Sequence, residues 1–404
     1  MSERGERPGQ HNIAAADETG ARPAGDGGPL AIVIAMVATL DRKKAQRQAQ
    51  TRYELIDCDV HQAIRDYREL HPYLDPVWRR YVGARGFGGP SSGYQTSVGL
   101  YRKDVTPPGG GEPGSDPQWL RTQLMERYNV KHVLLNGGGI LGACALPDAD
   151  FASAIAAAYN DWLTRSWLGE FNPDGAFKGS MFVAPQDPEA AAREIDRSGG
   201  HPHIVQVMFA SATTAPLGAK QYHPIYAAAE RQGLPVAIHP GAEGRSIAGQ
   251  PTAAGWVSKY IEWHTCLPQG FMAHVVSLVC QGVFVKYPGL KVVLTEGGVG
   301  WLPHVMWRLD RNYKSLRQEV PWLERLPSEY IRDHFRLTSQ PIEEPPTSAQ
   351  FLQLLEMMDA GRTLMFSSDY PHWDFDDPLA AFKDVPDALK RRIFYENAAE
   401  LYGL

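Results

Sequence analysis

Eight short apolar segments alternate with helix-like segments between residue 53 and the C-terminus of this 404-residue chain. Runs of β-branched and apolar residues bounded by glycine, proline or asparagine are typical of buried strands. We place the strands at Tyr53–Cys58, His132–Leu135, Gly179–Val183, Ile204–Phe209, Pro235–His239, Lys291–Thr295, Phe335–Thr338 and Leu364–Ser368. Because strands alternate with helices, the sheet is predicted to be parallel. Eight such strands predict an α/β fold closed as a (β/α)8 TIM barrel.

Most of the segments between the predicted strands are predicted to contain helices. Apolar residues recur there about every three or four positions, which predicts helices that pack one face against the barrel. The predicted helices are Phe151–Leu168, Pro188–Arg197, Pro224–Gln232, Trp301–Leu316, Ser348–Met358 and Ala388–Tyr395. Tryptophans at helical spacing are predicted to fill the shell between helices and barrel; they are Trp162, Trp167, Trp301 and Trp307.

Two connections are too long for a single helix and are predicted to be insertions. Residues 62–131 separate the first two strands, and residues 240–290 separate the fifth and sixth. Long connections in a compact domain are typically lids or binding loops. We therefore predict that the long insertions after strands 1 and 5 lie at the barrel mouth and determine which substrate binds.

The N-terminal segment differs in composition from the rest of the chain. Residues 1–50 are predicted to be a disordered N-terminal extension, because their first part is rich in Gly, Pro, Arg, Asp and Glu and has no apolar period. The apolar run Pro29–Leu40 is shorter than the ~20 residues of a membrane span, and its basic cluster follows it instead of preceding it. We predict neither membrane insertion nor export, and assign residues 51–404 to the barrel. Met36 is a second candidate start.

Charge and cysteine content exclude several classes of protein. Lys and Arg total 40 against 46 Asp and Glu, giving a net charge of −6, so a nucleic-acid-binding surface is not predicted. The four cysteines have no C-x-x-C spacing and are too few for a disulfide scaffold. They are interpreted as reduced thiols, which predicts a cytoplasmic protein.

Residues of the types that bind metals follow four of the predicted strands. They are Asp59 and His61 after the first strand, His239 at the end of the fifth, Glu296 after the sixth, and Asp369 and His372 after the eighth. Reactive residues of such barrels gather at the C-terminal ends of the strands. Asp59 and His61 are two residues apart and therefore share one strand face. Imidazole and carboxylate groups without a thiolate predict a divalent metal such as Fe, Mn or Zn.

Each of these residues also has a structural interpretation. A single His at a strand end is commonly a hydrogen-bonded structural residue, and a strand-end Asp such as Asp57 is commonly a helix cap. His304 lies near the start of a helix and is a further candidate ligand, with packing beside Trp301 as its alternative. His264 and His274 lie in the second insertion and are interpreted as structural. The coincidence of several ligand-type strand ends favours a metal site.

The chain from residue 53 to residue 404 resembles the amidohydrolase-related barrels of the amidohydrolase 2 type, which include metal-dependent hydrolases and decarboxylases. The resembling motifs are IDCDVH (56–61), AYNDWL (158–163), LPVAIHPG (234–241), FVKYPGLKVVLTEGG (284–298), WLPHVMWRLDR (301–311) and SSDYPHWDFDDP (367–378). His239 and Asp369 match the usual ligands of the family. Asp59 and Glu296 each stand where many relatives have His.

These two departures lead to a prediction of two metal ions. Three carboxylates around neutral imidazoles leave a charge of −1 with one divalent ion and +1 with two. A carboxylate also bridges two ions more readily than an imidazole does. We predict a dinuclear site bridged by Glu296, with Asp59, His61 and His239 on one ion and His372 and His304 on the other. Similar chains with this pattern include dinuclear iron or manganese proteins, namely a thioesterase of platensimycin-type biosynthesis and an amine N-hydroxylase component.

The resemblance implies a metal-dependent hydrolase acting on a small-molecule substrate. Metal-bound water loses a proton near neutral pH, and the resulting hydroxide attacks a carbonyl group. The expected substrate is an amide or thioester of a bulky organic acid. Asp369, as general base, and Glu296 are the predicted catalytic residues.

Three alternatives remain open at the level of sequence. The first is non-oxidative decarboxylation of an aromatic or hydroxy acid, against which the Glu at position 296 argues mildly. The second is oxygen activation at a carboxylate-bridged Fe or Mn/Fe pair. The third is a non-catalytic paralogue of an active subunit. No sequence element specifies assembly, so a homodimer or a pairing with a paralogous subunit is left open.

Overall fold

The computed structural model describes residues 53–86, 88–90 and 100–404. Its strands are β1 (Leu55–Val60), β2 (Val130–Leu135), β3 (Phe177–Phe182), β4 (Ile204–Ala210), β5 (Val236–His239), β6 (Val292–Leu294), β7 (Phe335–Thr338) and β8 (Leu364–Met365). Each strand overlaps one of the eight predicted strands. The order β1 to β8 is unbroken, and all seven neighbouring pairs are parallel. The predicted (β/α)8 barrel is confirmed.

The chain that follows β8 brings the sheet round to β1. Val60 and Tyr370 form a parallel bridge, and the backbone N–H of His61 donates to the carbonyl of Tyr370 (2.8 Å). The N–H of Asp369 donates to the carbonyl of Asp59 (3.1 Å). Barrel closure therefore places the segment after β8 directly beside the end of β1.

Helices cover the outside of the barrel and form part of the insertions. They are α1 (Pro76–Arg85), α2 (Pro117–Leu120), α3 (Ala149–Arg165), α4 (Pro188–Ser198), α5 (His223–Gln232), α6 (Tyr260–Cys266), α7 (Pro268–Cys280), α8 (Val283–Lys286), α9 (Leu302–Leu316), α10 (Pro327–His334), α11 (Ser348–Met357), α12 (Ala360–Thr363), α13 (Pro378–Ala381), α14 (Asp387–Arg391) and α15 (Asn397–Tyr402). The side chains of Asp148 and Asp187 cap α3 and α4 by accepting backbone N–H groups.

Both long insertions reach the C-terminal end of the barrel. The first contains α1 and α2, and its Tyr101 forms an antiparallel bridge with His372. The second contains α6, and the ring of its Tyr260 lies edge-on to that of Trp373, in the segment after β8, at 6.4 Å. The predicted position of the insertions at the barrel mouth therefore agrees with these contacts.

One of the four tryptophans does not lie in the predicted shell. Trp162, Trp167 and Trp301 are buried, whereas Trp307 is exposed on α9. The buried residues of α9 include Val305 and Met306. Trp307 lies about 100° round the helix from Met306 and about 200° from Val305, so its side chain falls off the buried face. Spacing in sequence alone did not distinguish these positions.

The predicted disordered extension, residues 1–50, lies outside the described residues, as does the apolar run Pro29–Leu40. None of the helices in the described part of the chain combines the length and apolar character that a membrane span requires. All four cysteines are free thiols, as predicted.

Candidate metal centre

The structure brings six of the seven predicted ligands together in two overlapping groups. The first group is Asp59, His61, His239 and Glu296, and the second is His61, Asp369 and His372. Within each group the ligand atoms lie within 4.8 Å of one another. These residues come from the ends of β1, β5, β6 and β8, which meet at one end of the barrel.

The two buried histidines present the same ring nitrogen to the site. Nδ1 of His61 donates to the carbonyl of Gly137, and Nδ1 of His239 donates to the carbonyl of Pro240 (2.7 Å). A histidine that donates from Nδ1 keeps the lone pair of Nε2 available for a metal. Both Nε2 atoms are buried: that of His239 has no hydrogen-bond partner among the described residues, and that of His61 lies beside carboxylate oxygens of Asp369 (2.9 Å) and Asp59 (3.3 Å).

Asp59 is fully buried, and its two carboxylate oxygens have different surroundings. Oδ1 accepts a hydrogen bond from Nδ2 of Asn136 (2.8 Å). Oδ2 has no hydrogen-bond partner in the described structure and lies 3.5 Å from Nε2 of His239. Oδ1 also lies 3.3 Å from Nε2 of His61, so Asn136 holds one oxygen while both oxygens lie beside candidate ligand nitrogens.

Two of the site carboxylates have left-handed backbone conformations. Glu296 has φ 56° and Asp369 has φ 58°. Non-glycine residues adopt this region rarely, and such strain is concentrated at functional sites. The backbone N–H of Glu296 donates to Oγ1 of Thr338 (3.0 Å), which supports the strained turn. Regular strand alternation does not predict these side-chain directions.

Asp369 connects the two histidines of the second group. Its Oδ1 lies 2.9 Å from Nε2 of His61 and accepts a hydrogen bond from Nδ1 of His372 (2.7 Å). Burial by itself raises the pKa of Asp369, but His372 and His61 outweigh burial and hold the pKa below its ordinary value. The ring of Tyr101 stacks on His372 at 5.7 Å, so the first insertion fixes this imidazole from outside.

The electrostatics of the site fit a cation. Burial alone lowers the pKa of His61, but the charges of Asp59 and Asp369 outweigh it and raise the pKa to about 9. Burial and the charges of Asp369 and Asp59 raise the pKa of Glu296 well above its usual range. Both shifts show an excess of negative charge that a divalent ion would neutralise. Together with the unpartnered ligand atoms, this charge balance makes the donor set suitable for a divalent metal.

Sequence interpretation missed two residues at the edge of the site. Nε2 of His264, on α6, lies 3.3 Å from Oδ2 of Asp374 and 3.9 Å from Oε1 of Glu296. His264 was interpreted as structural because the position of an insertion relative to the barrel cannot be read from spacing. Asp374 lies in the same motif as Asp369, SSDYPHWDFDDP (367–378). The motif continues past His372, and this was the signal in the sequence that could have pointed to Asp374.

The other candidates lie outside both groups. His304 is exposed on α9 and belongs to neither cluster, because the helix turns its side chain outward. His274 is buried, and its ring nitrogens bond to the backbone of Ser211 and Leu217, in agreement with a structural role. Asp57 accepts the backbone N–H of Ser368 (2.9 Å), and burial raises its pKa to about 7. It links β1 to the chain after β8.

Two neighbouring cavities with shared lining residues lie beside the clusters. A cavity of about 140 Å³ is lined by His239, Glu296, Asp369 and aromatic residues of the second insertion. A cavity of about 580 Å³ lies next to it, and both share His61 and His372. The combined space is within the range of small-molecule sites.

Two curated relatives match most of the described chain. A γ-resorcylate decarboxylase of Rhodococcus jostii (strain RHA1) is 27% identical over 310 residues, covering 72% of this chain and 88% of that protein. A γ-resorcylate decarboxylase of Polaromonas sp. (strain JS666) is 25% identical over 299 residues, covering 72% and 88%.

Solved structures show the same fold. A 5-carboxyvanillate decarboxylase from Sphingomonas paucimobilis has a TM-score of 0.60 and 22% identity, with 87% of this chain and 99% of that chain covered. A dihydroxybenzoic acid decarboxylase from Polaromonas sp. JS666, with bound manganese and 2-nitroresorcinol, has a TM-score of 0.61 and 20% identity, with 87% and 97% covered.

These comparisons correct the prediction of a hydrolase. The curated relatives that match across most of their length are decarboxylases, so the prediction of an amide or thioester hydrolase is wrong. The finer resemblance to a platensimycin-type thioesterase and an amine N-hydroxylase component is likewise not supported. The relatives favour the decarboxylation alternative instead, against which Glu296 was a mild argument.

The broader resemblance is confirmed. The Amidohydro_2 family profile, described as "Amidohydrolase", matches residues 56–404. This match begins in β1 and extends to the C-terminus, so it includes every strand that contributes to the two clusters. The chain belongs to the amidohydrolase 2 family.

Proposed function

We propose that the protein is a metal-dependent, non-oxidative decarboxylase of a hydroxylated aromatic acid. The observation that carries the proposal is the similarity to γ-resorcylate decarboxylases over 310 residues and 88% of the length of one such enzyme. The buried cluster of Asp59, His61, His239 and Glu296 supports it, because it supplies the donor set for a divalent ion.

The proposed metal is a single Mn²⁺ ion, which Asp59, His61, His239 and Glu296 would hold. The predicted second ion was assigned to His372 and His304, but His304 lies outside both groups, so only the first group supports a four-residue donor set in this proposal. Manganese is chosen because it is bound in the solved dihydroxybenzoic acid decarboxylase. When bound, the ion supplies positive charge that holds the carboxylate and neighbouring hydroxyl group of the acid.

The second group of residues handles the proton. Decarboxylation adds a proton to the ring carbon, and the electron pair of the broken carbon–carbon bond returns to the ring as CO2 leaves. Asp369 lines the smaller cavity, and its lowered pKa leaves it ionised before the reaction. His372 lines both cavities, and its Nδ1 bonds to Oδ1 of Asp369 (2.7 Å). The proposed donor is therefore the pair: the proton on Nδ1 of His372 passes to Asp369, which delivers it to the ring carbon, and His372 then regains a proton from water.

The two cavities support an aromatic acid as the substrate. The smaller one, at the ligand atoms, accepts the carboxylate end of the substrate. The larger one, lined in part by Tyr67 and Tyr159, accepts the rest of the molecule. Tyr101 lies where the two cavities meet and offers an aromatic face for ring stacking.

Metal analysis and CO2 release test this proposal. Protein loaded with Mn²⁺ is incubated with 2,6-dihydroxybenzoate, 5-carboxyvanillate and ring-extended hydroxybenzoates. We expect one ion per chain and CO2 release from at least one acid. Two ions per chain at full occupancy would contradict the single-ion site, and no CO2 from any acid in the series would contradict the activity.

The role of Asp369 has a matched control. The substitution Asp369→Asn is expected to lower kcat by about 10²- to 10⁴-fold, the usual contribution of a positioned acid. Asp376→Asn changes a nearby carboxyl group that bonds to the backbone N–H of Ile342 (3.1 Å). It is expected to retain turnover. Equal activity of Asp369→Asn and the unmodified protein would exclude Asp369 as the donor.

A further inference from the structure

A row of buried polar side chains crosses the barrel interior beneath Asp59. Asn136 follows β2, Ser180 lies on β3, and Gln206 lies on β4, and all three are at most 1% exposed. Tyr402, on the C-terminal helix α15, donates from its hydroxyl group to Oε1 of Gln206 (2.8 Å). These four residues are called the interior polar row.

The hydrogen bonds of the interior polar row form an unbroken path to Asp59. Nε2 of Gln206 donates to Oγ of Ser180 (2.8 Å) and to Oδ1 of Asn136 (3.3 Å). Oγ of Ser180 donates to the same Oδ1 of Asn136 (2.5 Å). Nδ2 of Asn136 then donates to Oδ1 of Asp59 (2.8 Å).

The direction of these bonds is fixed at the Asp59 end. The amide nitrogen of Asn136 also meets the carbonyl oxygen of Cys58 (3.1 Å), so two acceptors face it and only an N–H group fits there. The amide oxygen of Asn136 must then face Ser180 and Gln206, which in turn leaves Oε1 of Gln206 to accept from Tyr402. Every donor therefore points towards the carboxylate of Asp59.

We propose that the interior polar row is a set of positioning residues that holds the candidate metal ligand Asp59 and links it to the C-terminal helix. Asn136 occupies Oδ1 of Asp59 and leaves Oδ2 free on the side of His239. Tyr402, Gln206 and Ser180 act through Asn136. Outer groups that orient a ligand tune metal affinity, and their effect is expected to fall with each bond along the row.

Mn²⁺ binding distinguishes positioning from simple packing. Tyr402→Phe and Ser180→Ala each remove one hydroxyl group and leave the rest of the side chain in place. Tyr226→Phe is the matched control, because its buried hydroxyl group donates to the carbonyl of Leu217 (2.6 Å) outside the interior polar row. The measurements are Mn²⁺ affinity by chelator competition, the electron paramagnetic resonance spectrum of bound Mn²⁺, and unfolding of the metal-free protein.

We expect Ser180→Ala to weaken Mn²⁺ binding roughly 10-fold and Tyr402→Phe, further along the row, roughly 3-fold, and both to alter the Mn²⁺ spectrum. The control Tyr226→Phe is expected to lower metal-free stability without changing either metal readout. The inference is overturned if Tyr402→Phe and Ser180→Ala lower stability but leave affinity and spectrum as in the control.

This inference rests on the metal site of the proposed function, and the experiment separates the two. An unmodified protein that binds no Mn²⁺ would contradict the proposed function. An unmodified protein that binds Mn²⁺, with unchanged binding in both row variants, would contradict only the positioning role.

Discussion

The first insertion is predicted to hold His61 through a close backbone contact at Gly114. Gly114 has φ 81°, and its carbonyl accepts the backbone N–H of Ala63 (3.0 Å). A Cβ atom at this position would overlap the carbonyl oxygen of His61, well inside the 3.0 Å that real Cβ contacts respect. The substitution Gly114→Ala must therefore displace either the insertion or the backbone of a candidate ligand.

The substitution Gly114→Ala is expected to have two effects, strain in its own backbone and displacement of His61. Placing Ala at positive φ costs roughly 1–2 kcal/mol, partly offset by the lower entropy of the unfolded chain. Relieving the overlap requires a movement on the order of 1 Å to reach ordinary van der Waals contact. A displacement of this size at a catalytic group costs about 10²-fold in rate. We expect a comparable loss of Mn²⁺ affinity and turnover if His61 moves.

Gly110→Ala is a control that has the backbone strain without the overlap. Gly110 lies in the same insertion with φ 80°, and a Cβ atom there would have nothing within 4 Å. The assays are thermal unfolding and Mn²⁺ affinity of both variants. We expect similar conformational strain in both, and weakened Mn²⁺ binding only in Gly114→Ala. Equal Mn²⁺ affinity of the two variants would refute the claim that this contact positions His61.

Three further predictions concern pH, the core and the edge of the site. Burial lowers the pKa of His274, so the unfolded chain binds its proton first and stability falls as pH drops below 6.5. In His274→Gln, the free energy of unfolding should fall less steeply with decreasing pH than in the unmodified protein, by at most about 1.4 kcal/mol per pH unit. Chemical denaturation from neutral to acidic pH measures this. Phe366→Ala removes a buried ring that packs against other aromatic rings and should lower the free energy of unfolding by about 3–5 kcal/mol, as measured by denaturant titration. A loss below 1 kcal/mol, on the order of a surface change, would contradict tight packing there. His264→Phe should lower kcat/KM about tenfold by removing Nε2 beside Asp374, whereas His304→Phe on the exposed face of α9 should not; equal values would place His264 outside the site.

The fold was predictable because a (β/α)8 barrel repeats one simple pattern. Strands such as Val292–Leu294 are buried along their whole length and therefore appear as continuous apolar runs. The observed strand ends differ from the predicted ones by a few residues, because a strand ends where its backbone pairing ends and not where the apolar composition changes. The segment Leu364–Ser368 was predicted as one strand, but β8 ends at Met365 and the following residues turn into the site. Local composition does not encode where a backbone leaves the sheet.

The strand-end part of the site was predictable, whereas the part supplied by insertions was not. Asp59, His61 and His239 follow apolar runs directly, so the barrel rule places them at one end. His264 reaches the site from α6, and its contact with Asp374 depends on how the second insertion packs on the barrel. The exposed position of His304 depends on the rotation of α9, which its distance from Glu296 in the sequence did not define.

Closure of the barrel and assembly of the site use the same backbone contacts. The N–H of Asp369 bonds to the carbonyl of Asp59 (3.1 Å), and the N–H of His61 bonds to the carbonyl of Tyr370 (2.8 Å). These bonds join the chain after β8 to β1, and they also fix the spacing between two carboxylates and an imidazole. The left-handed turn at Asp369 then directs its side chain to His61. The strained turn lies within the segment that closes the barrel, so closure holds it in place. A change that breaks the pairing of this segment with β1 would therefore separate the ligands before it unfolds the other strands.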